Sequence, residues 1–365
     1  MDKPQLNEEI DLRIDRISFH GGRGVGRYNN FVIFVPFTAP EDFVTVQIVE
    51  VKKKFAIAKL IKIIEPSPFR VAPACKYYEL CGGCSLQHIN YKKQIEEKEA
   101  ILKKTLLGIQ RYDLAHFEGV QASKKDYYYR NRIKLKVKNG QYGYFQNATH
   151  KFIPIEQCII ADEKLNEKIK SHPAGKSLKE KEFYLYSQEG YFTQVNDEQN
   201  LWLQELVLGI VQKNNYIEIY DFYCGSGNFT FPLAETNNNS LIVGVENSQE
   251  AINYAIKKSK EDGLTNIQFL CSDVAKSLNA ITSIEKAFFL FDPPRSGLNT
   301  KIIQKTLKLN PQTILYISCN PTTMVRDINE LMSLNNNYRI TLTGGLDMFP
   351  QTSHIESYIL LEQHS

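Results

Sequence analysis

The chain contains no run of eighteen or more apolar residues, so no membrane-spanning helix and no membrane partner are expected. Its opening stretch, Met1-Asp2-Lys3-Pro4-Gln5-Leu6-Asn7-Glu8-Glu9-Ile10, lacks an apolar signal core, and a cytoplasmic location is expected. There the seven cysteines are expected to be reduced thiols, metal ligands or catalysts rather than disulfides. Internal repeats and low-complexity tracts are absent. Excess charge is slight: 44 Lys and Arg against 41 Asp and Glu give +3. Any nucleic-acid footprint must therefore come from local clustering. What is present is an ordinary apolar fraction of 42% over 365 residues, enough for two or three domains at roughly 100–200 residues each.

Residues 11–65 read as short strands with glycine turns, including His20-Gly21-Gly22-Arg23-Gly24-Val25-Gly26, the texture of a small closed barrel. Pro66, Pro68 and Pro73 mark a boundary. A Lys- and Glu-rich helical pattern covers 91–107, and strands return over 127–160. From about 200, strands at 217–220, 241–245, 267–270, 287–291 and 313–318 alternate with helical stretches. That alternation predicts an α/β, doubly wound parallel sheet.

The first of these strands runs into Asp221-Phe222-Tyr223-Cys224-Gly225-Ser226-Gly227-Asn228. Ligands of open α/β sheets sit at strand carboxyl ends, where glycines let them approach the backbone. The third glycine of a dinucleotide fingerprint is missing, with Thr230 in its place, which disfavours NAD. Glu246, ending the next strand, can accept both ribose hydroxyls, and Asp273, after the third, can face an adenine amine. Together they predict an S-adenosylmethionine site. A glycine pair alone also fits a plain tight turn; Glu246 and the downstream Asp292 favour the pocket.

Asp292-Pro293-Pro294-Arg295 follows an apolar strand, as a rigid loop over the cofactor's reactive end. Cys319, in Ser318-Cys319-Asn320-Pro321, sits at another strand's carboxyl end, before a helix predicted to start at Pro321. Cys224 and Cys271 read instead as small buried hydrophobes. Glu356 ends Phe349-Pro350-Gln351-Thr352-Ser353-His354-Ile355-Glu356. A thiol, a carboxylate base and a carboxylate that holds the uracil edge are the minimum for methylation at C5 of uracil. Cys319, Glu356 and Asp292 supply them, with His354 a rival base.

Upstream, Cys75, Cys81 and Cys84 lie close together, and Cys158 is free to complete four ligands. Thiolate quartets hold zinc or an iron–sulfur cluster, and spacing does not choose between them. Arg130, Arg132, Lys134, Lys136 and Lys138 alternate with apolar residues after Tyr127-Tyr128-Tyr129. On a strand this gives a cationic face suited to looped RNA, or a solvated strand face.

With these residues in place, the chain resembles the RNA uracil-C5 methyltransferases, in particular the 23S rRNA (uracil-5)-methyltransferases with a TRAM domain. Gly22-Arg23-Gly24-Val25 and Phe34-Val35-Pro36 look like the OB-like TRAM barrel. Pro40-Glu41-Asp42 departs from the family's usual Pro-Gly-Glu at that barrel's turn. The resemblance implies a [4Fe–4S] cluster on Cys75, Cys81, Cys84 and Cys158, rather than zinc. Phe192-Thr193-Gln194-Val195-Asn196 looks like the family's Phe-x-Gln-Val-Asn segment, which implies that Gln194 contacts cofactor and base and that Phe192 stacks on the flipped base. Tyr223, Asn228, Glu246, Asp273 and Asp292 match positions around S-adenosylmethionine, Cys319 matches the nucleophile and Glu356 the base.

The expected organisation is a TRAM RNA-binding barrel over 1–68, a small central α/β iron–sulfur domain over 69–190 and a Rossmann-like methyltransferase domain over 191–365. The helix within 91–119 is expected to pack on the catalytic domain. Arg130, Arg132 and Lys134 are expected to touch RNA, and a monomer is expected. The expected reaction is methyl transfer from S-adenosylmethionine to C5 of a uridine, in 23S rRNA or alternatively tRNA. Rivals are a nitrogen methyltransferase that uses Asp-Pro-Pro without the thiol, an RNA-binding factor with an inactive methyltransferase domain, and a radical mechanism at the cluster.

Overall fold

The computed structural model describes residues 3–146, 149–175, 179–185, 194–335 and 337–364. Along the chain come β1 (Glu9–Ile17), β2 (Gly24–Tyr28), β3 (Phe31–Val35), β4 (Phe43–Val51), β5 (Phe55–Glu65), helix α1 (Tyr91–Leu106), β6 (Phe117–Gln121), β7 (Arg132–Lys138), β8 (Gln141–Phe145), β9 (Phe152–Pro154), α2 (Glu163–Ser171) and β10 (Glu180–Tyr184). There follow α3 (Asp197–Gln212), β11 (Glu218–Phe222), α4 (Thr230–Thr236), β12 (Leu241–Glu246), α5 (Gln249–Glu261), β13 (Ile267–Cys271), α6 (Val274–Ala280), β14 (Ala287–Phe291), α7 (Thr300–Leu309), β15 (Thr313–Ser318), α8 (Pro321–Leu334), β16 (Tyr338–Leu346) and β17 (Glu356–Gln363). Two compact units form, each from separated stretches. The first holds Met1–Ile101, Ala122–Ser187 and Phe349–His354; the second holds Leu102–Gln121, Gln188–Met348 and Ile355–Ser365.

In the first unit, β1 to β5 close a barrel in the order β1-β2-β3-β5-β4. Strict alternation drives it: Ile10, Leu12 and Ile14 of β1 point inward with Val44, Val46 and Ile48 of β4. Gly26 is required by close approach, since a Cβ there would lie 2.1 Å from Leu12 Cδ1. The turn before β4 forms despite the missing glycine. Glu41 takes φ +73°, its N–H donates to Ile14 O at 2.7 Å, and Arg13 Nη1 donates to its carbonyl at 3.0 Å. Beside it, fully buried Asp42 accepts from Ala39 N at 2.6 Å and Ser67 N at 2.8 Å and pairs with Arg70 at 2.7 Å. A buried carboxylate is tolerated because its oxygens are thus satisfied. The same unit contains the sheet β10-β7-β8-β9, whose Ile133, Leu135 and Phe183 pack with Leu165 and Ile169 of α2.

The second unit is built on a sheet in the order β13-β12-β11-β14-β15-β17-β16-β6. Strands β11 to β15 are parallel, as the alternating pattern predicts, and β14 and β15 are buried throughout, as covering both faces of a parallel sheet requires. β17 runs antiparallel to both β15 and β16, and β6 adds a parallel edge beside β16.

Candidate active site

β11 ends in a turn where Tyr223 (φ +67°), Gly225 (+56°) and Gly227 (+98°) are left-handed. Gly225 N donates to Glu246 Oε2 at 3.3 Å. A Cβ on Gly227 would lie 2.5 Å from the Phe231 ring, so this glycine lets the turn close on α4. Glu246 sits at the end of β12, its other oxygen accepting from Asn247 N at 2.8 Å and Ser248 N at 3.0 Å. Asn228 exchanges amide bonds with Asn200 at 2.9 Å in both directions and accepts from Gln204 Nε2 at 3.1 Å, so α3 fixes its side chain. Asp273 caps α6 by accepting from Lys276 N at 3.1 Å. Burial, then the charges of Asp273 and Glu246, push the Tyr223 hydroxyl up to about 12. Gln194 is buried just before α3, while Phe192 lies outside the described residues.

Thr230, at the site of the missing third glycine, has its own task. Its Oγ1 donates to Asp221 Oδ2 at 2.6 Å. Asp221 is fully buried, and burial pushes its carboxyl up to about 7.

The β15/β17 register brings the reactive groups together. Ser318 lies opposite Ser357, so Cys319 and Glu356 are the next residue outward on each strand. Asp292 follows β14, whose Phe291 pairs with Tyr316 of β15. Burial chiefly pushes the Cys319 thiol up to about 11, the Glu356 charge adds to this, and Arg295 opposes it. Burial, with the Asp292 charge behind it, raises Glu356 well above the usual carboxylate range, again against Arg295. Asp292 rises to about 7 by burial. Burial thus holds the thiol and Glu356 toward their protonated forms before substrate arrives and brings Asp292 into the neutral range, and Arg295 is the cation that opposes the rise for the thiol and Glu356. Arg295 stood in the quoted Asp-Pro-Pro-Arg segment without a role. Its loop is held to α8 by Asn320 Nδ2 and Thr323 Oγ1, which donate to Arg295 O at 3.2 and 3.3 Å. The rival base His354 belongs to the first unit. There it stacks edge-on against Phe349, centroids 5.7 Å apart, and lines a cavity of about 380 Å³ with Arg23 and Ser85.

Also in the first unit, Cys75, Cys81, Cys84 and Cys158 line one cavity of about 90 Å³, all four as free thiols. Burial, opposed by backbone N–H groups and reinforced by the neighbouring cysteines, pushes Cys81 up to about 11. Backbone bonds fix the frame: Asn166 Oδ1 accepts from Cys158 N at 2.8 Å, and Gln87 Oε1 accepts from Cys75 N at 3.1 Å. Among the described residues, no three His, Cys, Asp or Glu side chains are grouped to hold a single metal ion.

Arg130 lines this same cavity, and its buried Nε has no hydrogen-bond partner. On β7 the expected cationic face forms, but carboxylates of β10 meet it: Lys134 and Lys136 pair with Glu180 at 2.5 and 2.6 Å, and Arg132 with Glu182 at 3.4 Å.

A parallel sheet closed by an antiparallel strand, with a glycine turn and carboxylates at the strand ends, is an α/β architecture whose ligands bind at the strand carboxyl ends, as in S-adenosylmethionine-dependent methyltransferases. The profile of the tRNA (Uracil-5-)-methyltransferase family matches residues 175–364, and that of the TRAM domain matches residues 3–61. The chain is 32% identical to an uncharacterised RNA methyltransferase of Bdellovibrio bacteriovorus, over 97% of this chain and 95% of that one. It is 30% identical to the 23S rRNA (uracil(1939)-C(5))-methyltransferase RlmD of Shewanella putrefaciens, over 98% of this chain and 96% of that one. Among solved structures, the Pyrococcus abyssi tRNA (uracil-54, C5)-methyltransferase in complex with S-adenosyl-L-homocysteine shares the fold. It has a TM-score of 0.72 and 23% identity, over 96% of this chain and 100% of that one. The chain belongs to the tRNA (uracil-5-)-methyltransferase family: it is an S-adenosylmethionine-dependent RNA (uracil-5-)-methyltransferase with an N-terminal TRAM barrel.

Proposed function

We propose that the protein methylates C5 of a uridine in 23S rRNA through a covalent intermediate on Cys319. The observation that carries the chemistry is the β15/β17 register, which sets Cys319 beside Glu356 with Asp292 and Arg295 within electrostatic reach. The choice of 23S rRNA rests on full-length similarity to proteins named for that substrate.

The target base must leave its stack, because both C5 and C6 have to be reached. Carbon 5 of uracil is too weak a nucleophile to attack the sulfonium unaided. The Cys319 thiolate adds at C6, and the resulting enolate takes the methyl group at C5. Glu356, ionised by release of its own proton to solvent, then removes the C5 proton; that C–H electron pair forms the C5–C6 double bond, the C6–S bond breaks and Cys319 leaves as thiolate. Asp292, whose carboxyl burial raises to about 7, can donate to the uracil edge when it is protonated. Gln194, Tyr223, Asn228, Glu246 and Asp273 bind the cofactor, and Phe192 stacks on the base. Arg130, Arg132 and Lys134 contact the RNA in this reading: phosphates compete with the Glu182 and Glu180 carboxylates that Arg132 and Lys134 pair with, and Arg130 also lines the thiol cavity. Residues 1–68 then form the RNA-binding barrel, 69–190 the thiol-bearing domain and 191–365 the catalytic domain, except that Leu102–Gln121 belongs to the second unit and Phe349–His354 to the first.

The same reading gives Cys75, Cys81, Cys84 and Cys158 a [4Fe–4S] cluster. The four thiols line one cavity, and the resemblance to cluster-bearing relatives favours a [4Fe–4S] group there over zinc, since thiolate quartets hold either. A bound cluster supplies a cross-link between residues 75–84 and Cys158. The transfer chemistry above needs nothing more from it.

Mapping 5-methyluridine in 23S rRNA and tRNA from cells with and without the protein tests the substrate. Loss from one position of 23S rRNA is expected; loss from tRNA alone would replace this reading with the tRNA alternative.

A further inference from the structure

Within the first unit, residues 128–130 run beside residues 159–162. Tyr128 N donates to Ile159 O and Arg130 N to Ile160 O, each at 2.9 Å, and Asp162 N donates to Arg130 O at 2.9 Å. A parallel bridge joins Arg130 to Ala161. Cys158 belongs to the same frame: its carbonyl accepts from Ala161 N and from Asn166 Nδ2, each at 3.0 Å. The backbone thus ties Arg130 and Cys158 to one short segment, and both line the thiol cavity with Cys75, Cys81 and Cys84.

The Arg130 side chain differs from its neighbours in what it meets. Arg132, Lys134 and Lys136 pair with Glu182 and Glu180 of β10. The Arg130 Nε–H is enclosed and has no acceptor among the described residues. Among the described residues that line the cavity, Arg130 is the sole cation and none is an acid. Leaving an enclosed donor unbonded is costly, and buried donors in folded proteins nearly always have a partner. Four thiols and one unpartnered guanidinium N–H around one cavity form a donor set for a buried, sulfur-rich anion. A [4Fe–4S] group on four thiolates has that character: it is anionic overall, and its sulfurs accept hydrogen bonds. The residues present therefore fit it.

We propose that Arg130 is a positioning residue for the cluster: its Nε–H donates to a cluster or cysteine sulfur, which holds the cluster in place and raises its reduction potential. The proposal rests on the reading of Cys75, Cys81, Cys84 and Cys158 as cluster ligands. The direction follows from charge. Reduction adds an electron to a group that is already anionic. A hydrogen bond and a positive charge at its sulfurs stabilise the reduced form more than the oxidised one. The other guanidinium nitrogens are left for the RNA phosphate assigned to Arg130 above, so one side chain connects the cluster to the RNA.

The test uses full-length protein purified without oxygen and reconstituted with iron and sulfide, as wild type, Arg130→Met, Arg130→Lys and Lys136→Met. Arg130→Lys keeps the charge but puts a methylene where Nε lies. Lys136→Met removes a β7 cation that does not line the cavity. Iron and sulfide are assayed in each, the midpoint potential is measured by dye-mediated titration, and the Fe–S stretching bands by resonance Raman. The expected result is an equilibrium shifted against reduction at least about tenfold in Arg130→Met, about 59 mV for a one-electron couple, at least about threefold in Arg130→Lys and less than about twofold in Lys136→Met. The Fe–S stretching bands, which hydrogen bonding at sulfur lowers, rise in both Arg130 variants. Arg130→Lys is the milder change and decides alone if Arg130→Met fails to fold. Wild-type potential and bands in a loaded Arg130 variant overturn the proposal and leave the cluster reading standing. A shift in Lys136→Met equal to that in Arg130→Met also overturns it, because any nearby charge would then suffice. Wild type that holds zinc, or no sulfide, overturns the cluster reading and the proposal with it.

Discussion

Ser318 faces Ser357 across the antiparallel β15/β17 pair, and the Ser357 hydroxyl donates to the Ser318 carbonyl at 2.9 Å. That bond locks the register at the strand ends. A slip by one residue would turn every side chain of β17 to the opposite face and carry Glu356 away from the thiol. A hydroxyl on the fully buried Ser357 thus connects sheet pairing to chemistry.

The thiol's environment predicts a pH dependence. Because burial and Glu356 push Cys319 up to about 11, little thiolate exists at neutral pH in the free enzyme. Adduct formation with 5-fluorouridine RNA should therefore rise roughly tenfold per pH unit between about pH 7 and 9. Arg295→Gln removes the cation that opposes the rise, and should slow adduct formation about tenfold or more at any fixed pH. A flat profile in rapid-quench measurements would sink this account of the nucleophile.

Asp221 predicts a stability change of defined sign. Its carboxyl rises from 3.8 to about 7 on folding, so the folded chain holds a proton that the unfolded chain releases. The associated stability is fully present below about pH 4 and is lost as pH rises through about 7. Asp221→Asn should gain stability relative to wild type across that window and level off above it. The upper bound is about 4 kcal/mol, from about three pH units at 1.36 kcal/mol each. Paired urea titrations at pH 5 and pH 8 measure it; an unchanged difference between the two would contradict the buried-acid assignment.

At the barrel turn, Glu41 sits at φ +73°, where a side chain costs about 1–2 kcal/mol and glycine does not. Both backbone bonds of this residue survive its replacement. Glu41→Gly should raise the urea midpoint by an amount worth about 0.5–1 kcal/mol, after glycine's greater loss of chain entropy. Destabilisation would mean that the Glu41 side chain contributes more than its backbone costs.

The sequence made the pieces of this site visible but not their arrangement. The glycine turn, Glu246, Asp292 and Cys319 were legible because each ends an apolar strand of a parallel sheet, and such ends converge. β16 and β17 were not read as strands, so Glu356 was chosen by chemistry, without the register that sets it beside Cys319. A role for Arg295 depends on where a buried thiol lies, which its local sequence does not encode. The β7 cations form the face that alternation predicts, but alternation does not reveal the strand that lies beside it. Glu180 and Glu182 come from β10, more than forty residues along the chain. Arg130 also lines the thiol cavity and is bridged to Ala161, a long-range pairing that no local pattern encodes.

The thiol cavity predicts composition. Protein purified without oxygen should carry about four iron and four sulfide per chain, as a [4Fe–4S] cluster requires. Cys158→Ser should lower the iron content and the melting temperature together. Stoichiometric zinc without sulfide would replace the cluster assignment.

The most direct test of the central claim, covalent catalysis by Cys319, is peptide mass spectrometry after reaction with 23S rRNA containing 5-fluorouridine. Fluorine cannot leave C5 as a cation, so elimination is blocked and the adduct persists. The account predicts a methylated fluorouridine nucleotide attached to the peptide that contains Cys319, absent in Cys319→Ala. Methylation of normal RNA by wild type without such an adduct, or undiminished methylation by Cys319→Ala, would contradict it.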